Sequence, residues 1–213
     1  MVVEDLGRSP LCLTIPGLGN SGPGHWQTIW EAERADCERI ALGLWDDPIR
    51  NVWVSRIDQA VSAASAPVVL VAHSLGCLAL VWWASFVGEA AAGAVRGALL
   101  VAPPDIEHAS ASPHLSRFAP APKLPLPFPA ILVASRDDPY AAFERSAEMA
   151  GDWLCSFVDA GAIGHINAAS GLGAWRDGQA LLDRLIDAPG GERRPALPFA
   201  PPAHGARAAR PSR

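Results

Sequence analysis

The chain has 213 residues, half of them apolar and 18% charged, and its formal net charge is −5 at neutral pH. This length and apolar content suit one globular domain with a hydrophobic core and exclude an intrinsically disordered chain. The negative charge gives no reason to expect a nucleic-acid-binding surface.

Apolar, β-branched runs alternate with longer segments of helical periodicity along residues 1–188. The predicted strands, in chain order, are 11–15, 37–42, 67–72, 97–102, 130–135 and 155–159. The predicted helices are 25–36, 51–65, 75–88, 143–150 and 174–187. Alternation of this kind predicts an α/β fold with a mostly parallel central sheet and helices on both faces.

Two segments do not follow this alternation. Residues 105–127 are rich in proline and lack periodicity. A connection of that length is either a lid or binding loop, or a surface excursion without function. From Pro189 onward the chain carries five Arg and one Glu among Pro, Ala and Gly, so we predict a disordered tail over 189–213 that follows a single domain at 1–188.

The cysteines and the N-terminal residues bear on the compartment. The four cysteines show no paired spacing: Cys12, Cys37, Cys77 and Cys155. Free buried thiols of a reducing compartment fit this pattern better than a disulfide framework or a zinc site. Residues 1–10 include Glu4 and Asp5 and do not resemble a signal peptide. We therefore expect a cytoplasmic protein.

The segment around Ser74 is a long uncharged run that includes VVLVAHSLGCLAL. Pro67 and the turn AHSLG interrupt it, so we predict a buried strand, a sharp turn and a buried helix, and no membrane span. The turn resembles the G-x-S-x-G nucleophile elbow, with Ala72 in place of the first Gly and Gly76 in the last position. Such a turn exposes the Ser74 hydroxyl and aims the N–H of Leu75 at a developing oxyanion.

A serine nucleophile needs a base that is held by an acid, and in this elbow architecture the chain order is Ser, acid, His. His165 follows the last predicted strand in a Gly-rich loop, the position expected for the base. Asp138 follows the strand at 130–135 and is our choice for the acid. Asp137 is then a surface residue, and Asp105 is the competing candidate.

The loop after the first strand, IPGLGNSGPGHW, is the predicted source of the second oxyanion donor. We choose the N–H of Leu18, with Gly19 or Asn20 as the alternatives. We also expect Gly19, Asn20, His25 and Trp26 to bind substrate, and core packing is the alternative role for Trp26. The loop lacks the spacing of a phosphate-binding motif, and no metal ligands are expected.

Five segments taken together carry a family resemblance: PGLGNSGPGHWQTIWE, VAHSLG, VAPPD, SRDDPY and GHIN. In this order they resemble the small serine hydrolases of the YdeN / retinoblastoma-binding-protein-nine family, over residues 11–185. The resemblance implies a compact α/β-hydrolase fold without a large cap domain, and a triad of Ser74, Asp138 and His165. The L-x-C-x-E motif of the human member is absent, so a retinoblastoma-protein partner is not expected.

The resemblance and the residues together predict a serine hydrolase that cleaves a carboxylic ester or related acyl bond in a small molecule. The reaction would pass through an acyl-enzyme and require no metal or organic cofactor. Two alternatives stay open at this point. The chain could be a non-catalytic binding protein on the same fold, or an acyltransferase with the same triad.

Overall fold

The computed structural model describes residues 9–107 and 112–187. Six strands form one sheet in the order β2-β1-β3-β4-β5-β6, and each neighbouring pair is parallel. The strands are β1 Leu11–Ile15, β2 Cys37–Arg39, β3 Val68–His73, β4 Val95–Val101, β5 Ala130–Ala134 and β6 Ser156–Asp159. The predicted α/β fold with a parallel sheet is confirmed.

Helices cover both faces of the sheet. The helices are α1 Trp26–Glu33, α2 Arg50–Ala63, α3 Leu75–Val87, α4 Pro113–Ser116, α5 Phe143–Asp152 and α6 Arg176–Ile186, with 3₁₀ turns at Gly88–Gly93 and Ala168–Ser170. Side chains of β3 alternate between the faces, as the two-residue period of a strand requires. Val69 and Val71 pack with residues of α1 and α6, whereas Leu70 and Ala72 pack with residues of α2, α3 and α5.

This topology brings several chain segments to one edge of the sheet. Because all six strands are parallel, their carboxyl ends lie together, and ligands of open α/β sheets bind at that edge. Ser74 directly follows β3, the pair Asp137 and Asp138 follows β5, and His165 follows β6.

Most predicted elements match the observed ones to within three residues at each end, and two of the differences have a clear cause. The second strand was expected to extend to residue 42, but β2 ends at Arg39 because the N–H of Leu42 turns back to the carbonyl of Ile40. Within residues 105–127, α4 was not predicted because its four residues are too few for a periodic signal. Buried Phe118 anchors the part of this segment that follows α4, and its carbonyl accepts the indole N–H of Trp82 at 2.7 Å.

The structure bears on the predictions made for the cysteine thiols and for a membrane span. All four cysteines are buried and unpaired, with Cys12 and Cys37 facing each other across β1 and β2 at 3.1 Å between sulfurs. In the part of the chain that the structure describes, no helix combines the length and the apolar character needed to cross a bilayer. The predicted tail at 189–213 lies outside the described residues.

Candidate active site

Ser74 occupies a strained turn between β3 and α3. Its φ and ψ are 52° and −126°, a conformation that L-residues rarely adopt outside functional sites. The turn is closed on one side by β1: a Cβ on Gly76 would lie 2.6 Å from the Pro16 carbonyl oxygen and nearer still to that of Ile15. Glycine is therefore required at position 76, and the close approach places the end of β1 beside Ser74.

His165 lies between Ser74 and an acidic side chain. Its Nε2 is 2.9 Å from the Ser74 Oγ, and its Nδ1 is 3.0 and 2.9 Å from the two carboxylate oxygens of Asp138. An ionised carboxylate only accepts hydrogen bonds, so the His165 proton resides on Nδ1 and Nε2 accepts the Ser74 hydroxyl. Both the imidazole and the carboxylate are buried, with 8% and 4% of their side chains exposed.

The two other candidate acids make different contacts. Asp137 is exposed, and its Oδ1 accepts the Ser135 hydroxyl and the Gly164 N–H, both at 2.7 Å. These hydrogen bonds hold the pKa of the Asp137 carboxyl below its ordinary value. Asp105 pairs with Arg145 at 3.6 Å. Among the described residues, Asp138 is the carboxylate hydrogen-bonded to His165.

The backbone N–H groups of Leu18 and Leu75, both close to Ser74, have no hydrogen-bond partner among the described residues. Leu75 is the first residue of α3, where N–H groups lack intrahelical acceptors. A Cβ on Gly17, the residue before Leu18, would lie 2.8 Å from the Ser74 Cβ and 3.3 Å from the Leu75 N, so the two segments touch. The N–H groups of Gly19 and Asn20, the alternative donors, are bonded to the carbonyls of Trp45 and Gly17.

A cleft of about 420 Å³ opens over Ser74 and His165. Apolar side chains on its wall are Leu18, Pro104, Leu115 and Tyr140, and polar ones include Asn20, His25 and Asn167. His25 also caps α1, because its Nδ1 accepts the Gln27 N–H at 3.2 Å. Burial, with a smaller effect of Arg39, lowers the pKa of His25 to about 4, so the His25 imidazole is neutral near pH 7. A groove of about 480 Å³ between β2 and α2 contains none of these side chains.

Two of the four predicted substrate-binding residues do not line this cleft. Trp26 is 1% exposed, and its indole N–H donates to the carbonyl of Ile166 at 2.8 Å, so it is a core residue. Gly19 is exposed outside the cleft. Asn20 and His25 do line it.

Sequence reasoning missed several residues of the cleft wall, among them Leu115, Tyr140 and Asn167. Tyr140 and Asn167 each lie two positions after a triad candidate, in the segments DDPY and GHIN. Their positions close to the triad candidates could have identified both as residues of the cleft wall. Leu115 lies in the segment without periodicity, and nothing in its local sequence places it at the cleft.

The chain is similar to known hydrolases in sequence and in structure. The family model described as "Serine hydrolase" matches residues 12–184, whereas a comparison with curated proteins found no match. A YdeN-like hydrolase from Pectobacterium atrosepticum is 31% identical, with a TM-score of 0.74 over 84% of this chain and 91% of its own.

Two further structures share the fold at lower identity. The ydeN gene product of B. subtilis is 16% identical, with a TM-score of 0.61 over 84% of this chain and 100% of its own. Est1E from Butyrivibrio proteoclasticus is 14% identical, with a TM-score of 0.62 over 84% of this chain and 90% of its own. The resemblance to YdeN-like hydrolases is thus confirmed, and with a family match over most of its length the chain belongs to the serine hydrolase family.

Proposed function

We propose that the protein hydrolyses a carboxylic ester or related acyl bond with Ser74 as nucleophile, His165 as general base and Asp138 as the orienting acid. The observation that carries the proposal is the unbroken hydrogen-bond chain from the Asp138 carboxylate through both His165 nitrogens to the Ser74 hydroxyl. A serine hydroxyl is a weak nucleophile at neutral pH, and such a chain activates it.

In the first half of the reaction, the Ser74 Oγ attacks the carbonyl carbon as its proton passes to the His165 Nε2. The Asp138 carboxylate stabilises the imidazolium that forms and holds the productive tautomer. Negative charge then develops on the carbonyl oxygen, for which the N–H groups of Leu18 and Leu75 are the proposed donors. Each such donor stabilises the transition state by about 3–4 kcal/mol in enzymes of this kind.

In the second half, His165 returns its proton to the leaving group, and an acyl group remains on Ser74. Water then attacks this acyl-enzyme with His165 again as the base, which releases the acid and restores the hydroxyl. Apart from the substrate and this water molecule, every step uses side chains or backbone groups at the cleft.

The cleft wall supports a small, uncharged acyl substrate. Leu18, Leu115 and Tyr140 provide apolar contact area for an acyl chain, while Asn20 and Asn167 provide polar groups beside it. A cleft of about 420 Å³ is at the lower end of the range for small-molecule sites. We therefore expect short acyl chains to be cleaved faster than long ones.

A series of p-nitrophenyl esters graded by chain length, combined with a fluorophosphonate probe, tests the proposal. Wild-type protein is expected to hydrolyse the short esters and to be labelled, and Ser74→Ala is expected to lose at least about 10⁴-fold in kcat/KM. Ser85→Ala, on the same helix and bonded to the Trp82 carbonyl, is the matched control. Labelling that persists in Ser74→Ala would exclude this nucleophile, and products formed with added alcohols would identify acyl transfer.

A further inference from the structure

The turn that carries His165 is strained. The next residue, Ile166, has a φ of 48°, and Gly164 on the other side has a φ of 65°. A positive φ is a genuine outlier for a β-branched residue and persists only when surrounding structure holds it in place. Ile166 is fully buried, so packing of its side chain helps to fix the turn. The orientation of the peptide groups in the turn must in addition be fixed by hydrogen bonds.

Two buried side chains fix these peptide groups by donating hydrogen bonds to consecutive carbonyl oxygens of the turn. The Nε2 of His73 bonds to the His165 carbonyl at 3.0 Å, and the Nε1 of Trp26 bonds to the Ile166 carbonyl at 2.8 Å. His73 and Trp26 are 5% and 1% exposed. Since a carbonyl only accepts, the His73 proton resides on Nε2. Burial keeps the pKa of His73 well below its ordinary value, so the ring stays neutral at working pH.

The first of these bonds joins the two halves of the proposed site. His73 immediately precedes Ser74, and His165 lies 92 residues farther along the chain. The bond therefore ties the backbone of the base to the residue next to the nucleophile. The second bond fixes the following peptide from α1, so two separate elements, β3 and α1, determine where the imidazole points.

We propose that His73 and Trp26 are positioning residues that hold the strained His165 turn at the distance and angle that proton transfer from Ser74 requires. This inference rests on the proposed triad. Neither side chain touches the reacting atoms in the proposed reaction. Trp26 does not line the cleft, so its loss is expected to lower kcat with little effect on KM. His73 lines the cleft beside Ser74, so its role is tested by whether another hydrogen-bond donor at this position restores kcat.

A matched pair of tryptophan variants tests the role of Trp26. Trp153 is also 1% exposed and also donates its indole N–H to a backbone carbonyl at 2.8 Å, that of Pro122, away from the cleft. Trp26→Phe and Trp153→Phe thus remove the same chemical group from equally buried positions. We expect Trp26→Phe to lower kcat about tenfold or more, because small misplacements of a catalytic group have effects of this size, and Trp153→Phe to stay within about twofold of wild type.

A conservative and a non-conservative variant test His73. The amide of Gln reaches nearly as far as the imidazole Nε2, so His73→Gln keeps a donor for the His165 carbonyl, whereas His73→Leu removes it. We expect His73→Leu to lower kcat, and the rate of fluorophosphonate labelling, about tenfold or more. His73→Gln is expected to retain most of the wild-type kcat and most of the wild-type labelling rate. Melting temperatures of all four variants identify the temperature range in which each protein is folded.

The outcomes separate this inference from the proposed function. Equal kcat values in Trp26→Phe and Trp153→Phe, or in His73→Gln and His73→Leu, would overturn the positioning role. The proposed triad would still stand in that case, provided that the wild type is active and its activity depends on Ser74. A folded wild type that neither cleaves esters nor reacts with the probe would overturn both.

Discussion

Replacing Gly76 by Ala tests how tightly the nucleophile turn depends on its contact with β1. The new Cβ would lie 2.6 Å from the Pro16 carbonyl oxygen, which is backbone and cannot rotate away. Carbon–oxygen contacts of this type occur at about 3.3 Å or more, so the turn must move away from the Pro16 oxygen by about 0.7 Å and from the nearer Ile15 oxygen by more than that. Leu18 follows Pro16 by two residues, and its N–H would move away from that of Leu75.

A displacement of this size is expected to lower kcat/KM about 100-fold, comparable with the loss of one oxyanion donor, and overpacking is expected to destabilise the fold by about 1–3 kcal/mol. The assay is steady-state hydrolysis of a short p-nitrophenyl ester, with urea denaturation on the same samples. Gly151→Ala is the control, because a Cβ there meets nothing within 4 Å. Wild-type kcat/KM in a folded Gly76→Ala protein would refute this account of the turn.

Asp138→Asn is expected to lower kcat about 10⁴-fold, because an amide favours the wrong tautomer of His165, whereas Asp105→Asn stays within about threefold; similar losses in both would contradict the choice of acid. The pKa of His25 is about 4 in the folded protein and 6.5 in its unperturbed state, so the unfolded chain binds more protons between these two pH values. The free energy of unfolding therefore decreases as the pH falls from about 6.5 to about 4. The loss from this residue is about 3 kcal/mol between pH 7 and pH 4. His25→Asn, which keeps a capping oxygen, is expected to lack this part of the loss in urea titrations, and parallel curves would contradict the assignment.

The strands and the elbow could be predicted because their signals are local. A fully buried strand such as β3 is a continuous apolar run, and small residues, Ala72 and Gly76, lie two positions before and after Ser74. The chain order Ser, acid, His then restricted the acid to residues after β4 or β5 and favoured the loop after β6 for the base. Asp138 and His165 were thereby expected at the same edge of the sheet as Ser74 before any distance was known.

The environment of Trp26 could not be predicted in the same way. Its helical spacing in α1 is equally consistent with a core position and with a pocket wall. The choice depends on Ile166, 140 residues away, whose carbonyl accepts the indole N–H. Likewise, Leu115 lies at the cleft in a proline-rich segment that tertiary contacts hold in place, such as the hydrogen bond from Trp82 to Phe118, and such contacts have no local pattern.

The central claim is that Ser74 becomes acylated during turnover. Wild-type protein mixed with p-nitrophenyl acetate, quenched in acid within the burst phase and digested for mass spectrometry reports the acylated residue directly. We expect acetylation of the peptide that contains Ser74, absent from Ser74→Ala and strongly diminished in His165→Gln. Stable turnover with the acetyl group on another residue, or equal acetylation in His165→Gln, would contradict this claim.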